Sequence, residues 1–329
     1  MAEELLTISQ IYARGKENLK KGGIEWVYPP GRKVGSSVMA NRKYLDSLFF
    51  ETKFFDPVDV DTSLTIFGVK LKTPVFCSPI SQSPPYLSDT GIIDIAQGVA
   101  NAGSLIMLGI GGSTELQRAI DTGAPVVKMV KPYKRTELIY EKVRDAESRG
   151  CVAVGMDIDH FYGALRGDSV FRGELFRPQR TDELRQVFSQ TKLPFIIKGV
   201  LSVSDAEKAV QLGASAIIVS NHGSASIDFS VPSMIALTKV VDSVGDKLTV
   251  LIDTGFETGN DVLKALALGA KAVGFASPLL LALAADGSYG VELLINQITA
   301  ELRRTMAATG CPNLAAINKA IIVPMPTVG

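Results

Sequence analysis

From Pro74 onward the apolar positions repeat one pattern: a short hydrophobic run, a loop of small or polar residues, a stretch with helical spacing, then a glycine. The runs predict strands over 74–78, 104–108, 125–129, 152–156, 194–197, 215–219, 248–252 and 271–275. Gly103, Gly123, Gly150, Gly213 and Gly269 precede five of them, where a helix closes and the chain turns back. The clearest unit is 194–228. Its two strands flank a helix marked by Ala206, Ala209, Val210 and Leu212, and they run into Lys198 and into Ser220-Asn221-His222. A crossover of this kind makes the strands parallel neighbours, so Lys198 and His222 emerge side by side. Eight such units predict an α/β chain folded as a closed (βα)8 TIM barrel rather than an open doubly wound sheet.

Ahead of the barrel, residues 3–21 and 36–48 read as helices, the second capped by serine, and 64–71, with Gly68 near its middle, as a short hairpin. The chain is expected to form a single domain. Residues 1–72 make an N-terminal helical extension and hairpin, 73–310 the barrel and 311–329 a C-terminal tail. With 329 residues, 46% of them hydrophobic, the sequence can bury one large core. Lys plus Arg equals Asp plus Glu at 34 each, so no net field favours nucleic acid or an anionic membrane, and a small molecule is the expected partner. MAEELLTISQ carries acids where a secretory signal carries bases, and the apolar stretch 279–285 is too short to span a bilayer. A cytoplasmic protein follows as the expectation. Cys77, Cys151 and Cys311 show no paired or metal-type spacing and read as buried thiols.

In barrels of this class the active site lies at the carboxyl ends of the strands. Those ends read Pro79-Ile80-Ser81, Gly109-Ile110-Gly111-Gly112, Lys128, Asp157-Ile158-Asp159-His160, Lys198, Ser220-Asn221-His222, Asp253-Thr254-Gly255 and Ala276-Ser277. Both histidines of the chain fall in this set, which points to His222 as a catalytic group. Asp157, Asp159, His160 and His222 also allow a metal-dependent lyase, epimerase or hydrolase.

At KGVLSVSDAEKAVQLGASAIIVSNHG, and again from DVLKALALGAKAVGF to ELRRTMAATGC, the sequence resembles the FMN-dependent 2-hydroxy acid oxidase and dehydrogenase family, of glycolate oxidase and lactate oxidase type. The resemblance implies an FMN cofactor, no metal, and oxidation of a 2-hydroxy acid or a related hydroxy-carbonyl compound by hydride transfer to flavin N5. It makes His222 the base, Asp159 the carboxylate that orients it, and Lys198 the cation at the flavin N1/C2 edge. Arg166 matches an arginine that grips the substrate carboxylate, and Val130 and Val27 stand where the family has substrate tyrosines. Pro79, Ile80, Ser81, Gly109, Lys128, Asp157, Ser220, Asp253, Thr254, Gly255, Ala276 and Ser277 complete the implied cofactor site. A homotetramer is the implied assembly.

The departures are also specific. The second carboxylate-binding arginine of the family is here Ala225, its glutamine Lys128, its strand-four threonine Asp157, and its two phosphate-binding arginines Glu257 and Ser277. These replacements leave open a flavin barrel with other or lost catalysis, serving as a binding or scaffold protein.

Overall fold

In the computed structural model, residues 7–24, 36–81, 90–159, 170–171, 173–224 and 226–325 are described. Eight parallel strands close the barrel: β1 (Val75–Ile80), β2 (Leu105–Leu108), β3 (Val126–Val130), β4 (Ala153–Asp157), β5 (Phe195–Val200), β6 (Ala216–Val219), β7 (Thr249–Asp253) and β8 (Ala272–Phe275), with β8 paired back to β1. Two helices precede it, α1 (Ile8–Lys21) and α2 (Ser36–Asp46). One helix follows each strand: α3 (Gly91–Asn101), α4 (Ser113–Asp121), α5 (Thr136–Ser148), α6 (Thr181–Phe188), α7 (Val203–Leu212), α8 (Ser233–Val244), α9 (Gly259–Ala267) and α10 (Ser277–Ala308).

Each predicted strand is present, and each begins one residue later than the apolar run predicts. The five glycines expected at helix ends all adopt positive φ, from 67° at Gly103 to 100° at Gly269. The unit 194–228 shows why the chain folds this way locally. Ser202 Oγ accepts from the Asp205 N–H to cap α7, Ala206 and Ala209 turn its small face to the barrel, and Gly213 at φ 81° ends it. Removing such a cap costs about 1 kcal/mol.

Alternation along the strands divides the core in two. Phe76, Leu105, Met107, Val127, Met129, Ala153, Ile196, Ala216, Ile218, Leu251 and Ala272 fill the inside, while their neighbours pack outward against the helices. The hairpin Leu64–Ile66 and Val69–Leu71, turned by Phe67 and Gly68 at positive φ, closes the amino-terminal end of this inner layer. Such a floor confines any ligand to the opposite, carboxyl end.

Two features lay outside the sequence expectation. The tail returns as Ile322–Pro324 to pair antiparallel with Leu48–Phe50, so the C-terminus is tied to the N-terminal extension. α10 is one long element broken at Asp286 and Gly287, whose backbone angles are not helical, and it packs against α1 and α3. Gly98 permits that packing, since a Cβ there would lie 2.4 Å from the Ser288 carbonyl oxygen.

Candidate active site

The inward parity that fills the barrel also decides which polar side chains enter its mouth. One step beyond the inner apolar layer, Ser78, Lys131, Asp157, Lys198, Ser220 and Asp253 carry the same inward phase. All six are buried, and they are joined in one network. Lys198 Nζ donates to Ser220 Oγ at 2.9 Å and lies 3.5 Å from Asp253 Oδ2 and 3.6 Å from Asp157 Oδ1. Lys131 Nζ meets the other oxygen of Asp157 at 2.5 Å, and Ser78 Oγ donates to Asp253 Oδ2 at 3.0 Å.

Burial alone would raise the Asp157 carboxyl, but Lys131 and then Lys198 outweigh it and hold the group below the carboxylate range. Burial alone would likewise lower the Lys198 ammonium. Asp253, Asp157 and Asp159 outweigh that and raise it, so Lys198 stays charged.

Above this floor His222 Nδ1 lies 3.3 Å from Asp159 Oδ1. The pair is shaped by unusual backbone. His222, Gly223 and Ser224 follow one another at φ 52°, 61° and 59°, a left-handed turn that two non-glycine residues enter at a cost of about 1–3 kcal/mol each. Gly199 sits at φ 99° against Asp159, and a Cβ at this position would lie 2.5 Å from the Asp159 carboxyl carbon. The Asp159 carbonyl accepts a short hydrogen bond from Ser226 Oγ. Burial works to raise the Asp159 carboxyl, yet the His222 imidazole, with a smaller share from Lys198, keeps it low. Among the described residues, two ammonium groups and three carboxylates converge here, a net charge of −1 that proton uptake by His222 would neutralise.

Most of the expected residues gather at this end, with specific exceptions. Lys128 and Val130 do not enter the mouth. They have the outward phase of β3: Val130 packs in the outer core, and Lys128 Nζ donates to the Gly109 and Gly111 carbonyls at 2.5 and 3.4 Å in a pocket with Leu116 and Leu138. The inward position near the end of this strand belongs to Lys131, which the sequence reading missed although the phase of Val127 and Met129 points to it. Ile80 also packs in the outer core, whereas Pro79 and Ser81 are half-buried and Ser81 Oγ accepts from the Ile110 N–H. Gly109 lies against Ser81, whose Oγ would be 2.4 Å from an added Cβ. Thr254 and Gly255 form a positive-φ turn, held where Asn41 Nδ2 donates to the Thr254 carbonyl. Ala276 and Ser277 open α10, both half-buried. Val27, His160, Arg166 and Ala225 lie outside the described residues.

Oxygen and nitrogen atoms of Asp157, Asp159 and His222 lie within 4.8 Å of one another, which is compact enough to suggest a metal. Two ammonium groups already flank Asp157, however, and each would oppose a second cation between them. The charge pattern is that of an ion-paired floor supporting an imidazole–carboxylate pair.

Fold and site together define a (βα)8-barrel enzyme with an acid–base pair set over a fixed cation. The model for FMN-dependent dehydrogenases matches residues 16–173 and 163–324. Glycolate oxidase 1 of Oryza sativa subsp. indica is 28% identical, covering 97% of this chain and 96% of its own length. 2-Hydroxyacid oxidase 2 of Homo sapiens is 32% identical over 81% of this chain and 84% of its own. A crystal structure of a mandelate oxidase variant with 2-hydroxy-phenylacetamide superposes with a TM-score of 0.87 at 28% identity, covering 97% and 98% of the two chains. A mandelate oxidase variant carrying an FMN monooxide adduct gives 0.81 at 31% identity over 89% and 92%. This chain belongs to the FMN-dependent dehydrogenase family, and FMN is its cofactor.

The residues present fit the ring end of that cofactor. The carboxyl end of the barrel holds buried polar atoms without hydrogen-bond partners, Asp157 Oδ1 and both amide atoms of Asn221, together with the Lys198 ammonium that Asp253 and Asp157 keep charged. That is the donor and acceptor chemistry a ring with C=O and N–H groups requires.

Proposed function

We propose that this protein oxidises the hydroxyl-bearing carbon of a 2-hydroxy acid or a related hydroxy-carbonyl compound, with His222 as the base. FMN, when bound, supplies the acceptor for the hydride equivalent leaving the substrate carbon. His222 takes the hydroxyl proton. Its Nδ1 is turned to Asp159, which assigns proton uptake to Nε2. Asp159 fixes the ring and stabilises the imidazolium, as a hydrogen-bonded carboxylate does for a catalytic histidine. Lys198, held by Ser220, Asp253 and Asp157, presents a fixed positive charge at the floor of the mouth, where it favours negative charge developing above it. The single observation that carries this reading is the 3.3 Å His222–Asp159 contact set directly above the buried Lys198 network.

The names of relatives, glycolate oxidase, 4-hydroxymandelate oxidase and 2-hydroxyacid oxidase, support the substrate class. A homotetramer, on the strength of the resemblance, and a cytoplasmic location, on the acidic N-terminal residues and the short apolar stretch 279–285, belong to the same proposal, and light scattering and cell fractionation test them. For the activity, turnover is measured on a panel of 2-hydroxy acids with an artificial electron acceptor. The expected result is a 2-keto acid product and indifference to chelators. Activity abolished by a chelator in a colourless protein would contradict it.

A further inference from the structure

We infer that this barrel holds its flavin by the ring and gives the phosphate no dedicated grip, so that riboflavin binds about as well as FMN. The inference rests on the reading of the barrel mouth as a flavin site. On this fold a phosphate is expected at the loops after β7 and β8, where backbone N–H groups, helix N-termini and cations converge on it.

Here many of those amides are committed to other groups. The Glu257 and Thr258 N–H groups donate to Asp261 Oδ2 at 3.0 and 3.3 Å, the Gly259 N–H to Glu301 Oε2 at 2.6 Å, and the Asp261 N–H to Thr258 Oγ1 at 3.2 Å. After β8, Pro278 has no N–H, and the Leu279 and Leu280 amides bond to the Ala276 carbonyl at 3.0 and 3.2 Å. What is left for a phosphate is a few scattered amides, among them those of Thr254, Gly255, Asn260 and Ser277.

Side chains do not make up the difference. The loop after β7 carries Glu257 and the one after β8 begins with Ser277. Arg42 and the exposed Lys43 border the first loop in a groove shared with Gly255 and Glu257. The Arg42 guanidinium is spent on Asp261, at 2.7 and 2.8 Å, and on Asp46, at 2.7 and 3.0 Å. The N-terminus of α9 is thereby already neutralised by Asp261 and Glu301, and a dianion arriving there meets like charge. The ring end is the reverse: Lys198 and Lys131 are buried there with their carboxylate partners, and Asp157 Oδ1 and both amide atoms of Asn221 have no hydrogen-bond partner.

One charge-assisted contact to a phosphate is worth more than about tenfold in affinity, so a missing grip is measurable. The protein stripped of flavin is titrated with riboflavin and with FMN at low and high salt, following flavin fluorescence. The expected dissociation constants differ by less than about tenfold, and the FMN value changes little with salt. Glu257→Arg is expected to tighten FMN by about tenfold or more while leaving riboflavin unchanged; Ser277→Arg provides a second variant with the same expectation. FMN binding tenfold or more tighter than riboflavin in the unmodified protein would overturn the inference and leave the ring site intact. Failure of both flavins to bind would overturn the site reading itself, and the inference with it.

Discussion

Lys131 and Asp157 show how much a single residue's phase along a strand decides. Their ion pair lies at 2.5 Å with both side chains almost wholly buried, so removing one partner strands a charge in the barrel. Lys131→Met and Asp157→Asn are each expected to cost about 3–5 kcal/mol of stability, whereas the double variant costs clearly less than the sum. Lys198 keeps Ser220 and Asp253 in every one of these variants. Denaturant unfolding of the four proteins measures the coupling; additive costs would show that the pair does not act as a unit. The same residues mark the limit of reading a site from sequence. His222, Asp159 and Lys198 were legible because each follows an apolar run. Lys128 and Val130 take the outward phase of β3, which a resemblance in motif does not reveal, and no motif announces Lys131.

At the scale of elements, the pattern of apolar runs located all eight strands, and the hairpin, because each element's burial has its own period. Boundaries moved by a residue or more because parallel pairing carries the strands past the last apolar position. Asp157, Lys198 and Asp253 consequently lie within strands rather than in loops. The return of the tail to Leu48–Phe50 was not legible, since three-residue pairings between distant segments leave no periodic trace. The β5 terminus is the element on which the acid–base pair depends. Gly199 combines φ 99° with a backbone pressed against Asp159, so Gly199→Ala is strained and displaces the carboxylate. The expected outcome is a loss of turnover of about 10²-fold or more, the size of a general-base contribution, with circular dichroism unchanged. Near-normal turnover in that variant would mean that Asp159 does not position His222.

For the molecule as a whole, the buried network sets the pH range of stability. Asp157 and Asp159 titrate below the ordinary carboxylate value, so their contribution is present above about pH 4 and is lost as the pH falls through their folded values. Lys198 titrates above the ordinary lysine value, so its contribution is complete below about pH 10.4 and is lost only at higher pH. Thermal unfolding midpoints are therefore expected to be flat in this respect from about pH 5 to 9 and to drop below about pH 4. A steep loss between pH 7 and 5 would place the controlling group elsewhere.

The acid–base pair over the buried ammonium is tested most directly by adding a 2-hydroxy acid, without oxygen, to the flavin-loaded protein and following its visible flavin band. The expected result is rapid bleaching in the unmodified protein and bleaching slowed by about 10²- to 10⁴-fold in His222→Asn, with the same flavin bound. Equal bleaching rates in the two proteins would contradict the assignment of His222 as the base.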